Sequence, residues 1–127
     1  MCKERQFNGI KDASSWRVDT RQYMFSAAHE MQWLLDLVEQ NEHRPATREV
    51  LRVATSHWLA ESQLRYLSHE LWSFLRLNLV DQAKAIFAKV LIFEGFEAWR
   101  CVMRPVRSRN EVRRMEVHRV VQQPEEA

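Results

Sequence analysis

Two His-Glu dipeptides are the residues of this sequence closest to a known catalytic pattern. They begin the runs HEMQW at His29 and HELWS at His69. The zinc-protease motif HExxH needs a second histidine four positions after the first, so that both imidazoles lie on one helix face. Neither run has it, and each helix would offer zinc a single imidazole. We therefore expect no metal site and interpret both histidines as surface or partly buried residues.

The remaining reactive side chains give no support for catalysis. The sequence contains no phosphate-binding glycine loop, no dinucleotide fingerprint and no GxSxG nucleophile elbow. Its two cysteines, Cys2 and Cys101, are far apart and are expected to be free thiols. Arg100 could lower the pKa of the neighbouring Cys101 thiol, but the helical pattern favours a buried structural cysteine. We expect no catalytic residue, no cofactor and no small-molecule substrate.

The charge distribution is asymmetric near the C-terminus. Between positions 100 and 119 seven arginines stand against two glutamates. Arginine suits phosphate because its planar guanidinium offers several parallel donors, so the segment could bind RNA without reading its sequence. The alternative is a solvated helical face, stabilised by pairs such as Glu111 with Arg114. The candidate phosphate contacts are Arg100, Arg104, Arg107, Arg109, Arg113 and Arg114.

Length and composition place these residues in a small helical domain. The chain has 127 residues, of which 46% are hydrophobic and 28% charged, with two glycines, three prolines and a net charge of +2. Few turn residues argue against an all-β fold. No apolar run is long enough to cross a bilayer, and the first residues are polar rather than signal-like. We expect no membrane partner and a cytoplasmic location, with a nuclear one left open.

Apolar residues recur every three to four positions, which predicts an all-α fold of about five to six helices. Asp12 and Thr47 are candidate N-caps. Gly95 is a candidate C-cap, because glycine adopts the left-handed conformation readily. Pro105 is expected to end the helix that precedes it. The predicted helical segments are 12–40 (one helix or two), 47–61 and 62–77 (separate or continuous), 81–93, 96–103 and 108–122.

The five tryptophans fall mostly within or beside these apolar stripes. Trp16, Trp58 and Trp99 are predicted to lie in the core or in an interface. Trp33 and Trp72 lie beside the predicted inward positions. If exposed, they would be natural anchors for another protomer, because tryptophan is enriched at the energetic centres of interfaces.

Two stretches of the sequence resemble the Gag-like polypeptides of copia-type LTR retrotransposons. In the first, the F-x-G element from Phe7 to Gly9 is followed by Trp16 and Tyr23. In the second, residues 94–100 read EGFEAWR, which includes Gly95, Phe96 and Trp99. These elements and their order cover about residues 7–122. One departure is Asp81, where that family tends to carry glycine.

The resemblance implies a retroelement capsid-like helical lobe that self-associates around RNA. It implies that Phe7 packs on the first helix, that Gly9 lets the chain turn, and that Trp99 fills the junction after Gly95. The expected organisation is a leader over 1–11, one helical domain over 12–122 and an exposed tail over 123–127. The sequence resembles an N-terminal capsid lobe without a second lobe or a CCHC knuckle, so its self-association is expected to be weak.

Two functions therefore remain open. The first is a non-enzymatic capsid or assembly module whose partner is a second copy, with weak non-specific RNA contact. The second is an unrelated helical adaptor or nucleic-acid-binding protein that uses the arginine-rich segment 100–119.

Overall fold

The computed structural model describes residues 6–106, which form a compact all-α fold. Within that range the β-structure is limited to an isolated bridge between Phe7 and Leu79. The predicted fold class is confirmed. The six helices are α1 (Ala13–Ala27), α2 (Glu30–Gln40), α3 (Arg48–Thr55), α4 (Glu61–Asn78), α5 (Asp81–Phe87) and α6, which occupies 95–106.

The first predicted segment is two helices. Ala28 adopts an extended conformation, and its amide donates to the Met24 carbonyl, so α1 ends there. The prediction that Asp12 caps α1 through its side chain is wrong. A capping side chain normally reaches the helix amides from extended backbone, whereas Asp12 is left-handed, with φ 55°, and its carboxylate makes no capping bond.

The residues from 47 to 78 form two separate helices. The Thr47 hydroxyl accepts the Val50 amide at 3.4 Å, which confirms Thr47 as the N-cap of α3. At the other end of α3, the Thr55 hydroxyl donates to the Leu51 carbonyl at 2.7 Å. The next helix, α4, begins after Ala60, whose backbone is extended.

The predictions around Gly95 and Pro105 are wrong. Helix α5 ends at Phe87 rather than near 93, and Gly95 is the first residue of α6 rather than a C-cap. The last helix continues through Pro105 to residue 106, the last residue that the structure describes. Proline has a φ that suits a helix, but it lacks the amide donor and its ring crowds the carbonyl of the preceding turn. Burial of Val106 keeps this turn packed against the core despite that cost.

The core follows the predicted stripes in α4 and α6. Helix α4 buries a leucine at every turn, and α6 buries the four apolar residues that helical spacing within 96–103 predicts to face inward. Full burial of such side chains stabilises a fold by roughly 1.5–3 kcal/mol each. The residues are Leu64, Leu67, Leu71 and Leu75 of α4 and Phe96, Trp99, Val102 and Met103 of α6.

The spacing of apolar residues predicts that Val50, Leu51 and Ala54 share the buried face of α3, and of these only Leu51 is buried. That helix buries Leu51 and Thr55, while Val50 and Ala54 face solvent. A two-turn helix at the surface needs one anchoring side chain per turn. In the second turn of α3 this side chain is Thr55, whose hydroxyl is bonded to a carbonyl of its own helix, so it serves in place of an apolar residue.

The segment that carries Phe7 belongs to the core. Phe7 is buried, its amide donates to the Asn78 carbonyl, and its carbonyl accepts the Val80 amide, both at 2.9 Å.

The predicted helix 108–122, the tail 123–127 and Cys2 lie outside the described residues. Between residues 6 and 106 no helix has the length and apolar character to cross a membrane.

Candidate functional site

The two stretches that carry the family resemblance meet in the core. The Phe7 ring stacks on Trp16, with centroids 4.7 Å apart and planes 16° apart. Trp16 stacks in turn on Trp99 of α6 at 5.9 Å. Three aromatic rings thus join the N-terminal segment, α1 and α6 in one column.

Gly9 lets the chain turn from this column into α1. Its φ is 98°, a conformation that glycine adopts without steric cost. The Asn8 carbonyl accepts the Ala83 amide at 3.1 Å, and a Cβ added at Gly9 would lie 3.0 Å from that same nitrogen. The Asn8 side chain accepts the amides of Ile10 and Lys11, which closes the turn. Gly9 therefore serves both as a turn and as a site of close approach to α5.

Glu39 is a buried carboxylate that the sequence pattern did not single out. It lies in α2, and its Oε2 accepts the indole Nε1–H of Trp99 at 3.0 Å. Arg17 and Arg21 of α1 both donate to it, with Arg17 Nε 3.1 Å from Oε1. Arg21 also pairs with Asp36. A buried charge is tolerated because it is paired and hydrogen-bonded, so this network ties α1, α2 and α6 together.

Every polar residue of the EGFEAWR stretch has a structural partner. Glu94 accepts the Arg48 amide at 2.8 Å and pairs with the Arg48 guanidinium. Glu97 accepts the Ala46 amide at 2.7 Å. These carboxylates bind the backbone just before and at the start of α3, where donors lack intrahelical partners and negative charge is favoured.

Gly95 is required for close packing of α6 against α4. A Cβ at this position would lie 2.2 Å from the Ser68 carbonyl oxygen and 2.7 Å from the Trp72 nitrogen. The Ser68 hydroxyl accepts the Gly95 amide at 3.1 Å and donates to the Phe93 carbonyl at 2.8 Å. The backbones of α4 and α6 are so close here that no side chain fits between them.

Arg100 is part of the internal structure rather than a free cation. Its Nε and Nη2 donate to the two oxygens of Glu97, each at 2.7 Å, and Nη1 donates to the Glu42 carbonyl at 2.8 Å. Burial opposes the charge of Glu97, but the hydrogen bonds from Arg100 and Ala46 outweigh it and hold the pKa of this carboxyl below its ordinary value.

Cys101 is half-buried beside this ion pair. Burial, followed by the negative charge of Glu97, raises the pKa of the thiol above its ordinary value. Arg100 and Arg104 act in the opposite direction and do not overcome these effects. The thiol is therefore in its neutral, unreactive form near neutral pH.

The remaining predicted contact residues are distributed as follows. Arg104 is exposed on α6, whereas Arg107, Arg109, Arg113 and Arg114 lie outside the described residues. The apolar spacing of α1 predicts that Tyr23 faces inward, but Tyr23 is 45% exposed and stacks on Phe74 of α4 at 5.2 Å. Tyr23 is next to Met24 in the sequence, and Met24 is the residue that is buried.

Two tryptophans form an exposed aromatic pair. Trp33 of α2 is 58% exposed and Trp58, which follows α3, is 38% exposed. Their rings meet edge to face with centroids 5.7 Å apart. Trp58, predicted to lie in the core or in an interface, is not in the core, because α3 ends at Thr55 and the following turn carries the indole to the surface. Trp72 is half-buried against Phe87 and Phe93.

In the described part of the chain, charged side chains that line a polar cavity pair with one another. One cavity of about 470 Å³ is lined by α3, α4 and Glu94. Its three arginines pair with carboxylates of the same cavity: Arg48 with Glu94, Arg52 with Glu49, and Arg65 with Glu61. No three His, Cys, Asp or Glu side chains between residues 6 and 106 converge as a metal site would require.

The described residues thus define a compact helical domain with an exposed aromatic pair on its surface. Searches of protein-family models, of curated proteins and of solved structures find no match to this chain.

Proposed function

We propose that this chain is a non-enzymatic assembly module of the retrotransposon Gag-like capsid type, which works by binding further copies of itself. The observation that carries the proposal is the exposed pair formed by Trp33 and Trp58. Indole rings left in water cost free energy that a protein partner recovers, and tryptophan anchors are typical of interface centres.

The packing of the resemblance motifs also supports this proposal. Phe7, Gly9, Trp16, Gly95 and Trp99 each serve the fold, through stacking, a turn or close backbone approach. These residues maintain the fold, which leaves the exposed surface as the place where the proposed self-association occurs. RNA is a weaker second partner in this proposal, bound without sequence preference.

The test is the mass of the protein in solution over a wide concentration series, by sedimentation velocity. We expect reversible growth from monomer to small oligomers, and a markedly weaker growth in Trp33→Ser and Trp58→Ser. Phe25→Ser is the matched control, because Phe25 is 40% exposed on α1 and should leave association unchanged. A wild-type chain that stays monomeric at every concentration would contradict the proposal.

The alternative, a nucleic-acid-binding protein that uses the 100–119 arginines, is tested with the same samples. RNA is added over a salt series to the wild type and to a variant with glutamine at Arg104, Arg107, Arg109, Arg113 and Arg114. Tight, steeply salt-dependent binding that this variant loses would favour the alternative. Arg100 is kept in this variant, since its removal would disturb the Glu97 ion pair.

A further inference from the structure

The loop between α5 and α6 carries two aliphatic side chains into solvent. Leu91 is 77% exposed and Ile92 is 62% exposed; together they are named the apolar knob. The loop is held at its base by Phe93, which packs edge to face on His69 at 4.3 Å and whose carbonyl accepts the Ser68 hydroxyl. A knob on a loop fixed in this way loses little conformational entropy when it binds.

A groove of matching character lies between α4 and the pair α1 and α2. Its volume is about 290 Å³, near the lower end of small-molecule pockets, which begin at about 300 Å³. The floor is formed by Met24, Met31 and Phe74, and the rim by Tyr66 and Leu77, both more than half exposed. Its size suits one or two aliphatic side chains.

The knob and the groove lie on different faces of α4. The loop that carries the knob packs on Ser68, His69 and Trp72, whereas the groove includes Tyr66 and Leu77. Successive helix residues are rotated by about 100°, which separates the two faces by roughly a third of a turn. A molecule therefore cannot place its own knob in its own groove.

Charges beside the two features are complementary. Glu70 at the groove is exposed, and Lys89, two positions before Leu91, is exposed as well. Within residues 6–106 neither of them forms an ion pair. Placing the knob of one copy in the groove of another brings together opposite charges, which favours that docked orientation.

We propose that the apolar knob of one copy docks in the groove of a second copy, in a head-to-tail contact. This inference rests on the proposed function and specifies a second interface for it. Because the two surfaces differ, the contact is heterologous and each copy keeps a free knob or groove, so assembly continues into rings or filaments. The Trp33–Trp58 pair alone, in a two-fold contact, would stop at a dimer.

The test uses one variant that lacks the knob and one that lacks the groove. The knob variant is Leu91→Ser with Ile92→Ser, and the groove variant is Leu77→Asp, with Tyr66→Asp as a second groove variant should Leu77→Asp unfold. To isolate this contact, all carry Trp33→Ser. We expect each variant alone to weaken head-to-tail association by about tenfold or more. Ile10→Asp is the matched control, because Ile10 is 58% exposed, as is Leu77.

Mixing the two variants gives the decisive result. The groove variant still has a knob and the knob variant still has a groove, so the equimolar mixture should form dimers and stop there. Glu70→Lys and Lys89→Glu should each weaken association, because each places like charges at the contact. Their mixture should restore association beyond the dimer, because both contacts between unlike copies then pair opposite charges. A mixture that stays monomeric, or variants that assemble like their parent, would overturn the head-to-tail contact.

Failure of this inference differs from failure of the proposed function. If the knob and groove variants associate normally in the presence of Trp33, while Trp33→Ser alone abolishes all association, the assembly function stands and the head-to-tail contact is wrong. If the wild-type chain never associates, both are wrong.

Discussion

Trp99 donates its indole hydrogen to Glu39 across 60 residues of sequence, and both side chains are buried. This bond connects the tryptophan of the EGFEAWR stretch to the carboxylate that receives Arg17 and Arg21. The aromatic core and the buried ion network are therefore one structural unit.

Replacement of Trp99 should destabilise the fold strongly. Trp99→Ala removes a fully buried ring and leaves Glu39 without one donor, so we expect a loss of about 3–5 kcal/mol in the free energy of unfolding. Trp99→Phe keeps much of the ring and should lose about 1–3 kcal/mol, mainly through the lost hydrogen bond to the charged Glu39 carboxylate, whose Oε2 keeps Arg17 as a donor. Urea unfolding measures both. The exposed Trp33→Ala is the control, and an unchanged midpoint for Trp99→Ala would show that this ring does not support the core.

The negative charge of Glu39 should be needed for the stability of the fold. Glu39→Gln leaves the guanidinium groups of Arg17 and Arg21 facing a neutral amide, and breaking a buried ion pair costs about 3–5 kcal/mol. Part of this loss is avoided because Arg17 and Arg21 are partly exposed. Thermal unfolding of Glu39→Gln, compared with Asp36→Asn at the exposed edge of the network, checks this. Equal losses in the two variants would contradict a special role for Glu39.

Gly95 should tolerate no side chain at all. Gly95→Ala forces α6 away from α4, because the added carbon meets backbone atoms rather than flexible side chains. We expect a loss of at least about 3 kcal/mol, at the upper end of overpacking effects. Gly95→Asn distinguishes packing from left-handed capping, since asparagine is accepted at a C-cap. Urea unfolding measures the stability of Gly95→Asn. If this variant is nearly as stable as wild type, Gly95 acts as a helix cap and not as a site of close packing.

Glu97 should make stability depend on pH in the acid range. Its pKa in the folded chain lies below the ordinary value of 4.5, so its stabilising effect is complete above that value and is lost as pH falls through the folded pKa. Glu97→Gln should therefore be about 1–3 kcal/mol less stable than wild type at neutral pH. The difference should shrink below pH 4.5.

The control for this titration is Glu49→Gln. Glu49 also has a lowered pKa through Arg52, but the pair is exposed to solvent, where screening leaves little effect on stability. Urea unfolding of the three proteins over a pH series measures the differences. A gap between wild type and Glu97→Gln that is constant across the series would show that the charge of Glu97 is not the cause.

Cys101 should react slowly with thiol reagents. Its raised pKa keeps the thiol protonated, and the thiolate is the reacting form. In a Cys2→Ser background, labelling with iodoacetamide at mildly alkaline pH should be slower than for the same chain unfolded in urea. Equal rates in the folded and unfolded chains would mean that the site is open and its thiol unperturbed.

Periodicity predicted the parts of this fold that depend on one helix at a time. The spacing of Phe96, Trp99, Val102 and Met103 placed all four on the buried face of α6, and Thr47 was identified as an N-cap from its type and position. Such features depend on residues within a few positions of one another. They can be predicted from a short stretch of sequence, because the helical repeat determines which side chains share a face.

The tertiary structure alone decided which partners these elements meet. Gly95 serves close approach rather than capping because α4 passes within a few ångströms of it, and Glu94 and Glu97 bind backbone about fifty residues away. Leu91 and Trp58 continue apolar stripes yet lie at the surface, since their helices end before reaching them. Local spacing determines a helix and its face, but contacts between distant backbones arise only when the helices pack.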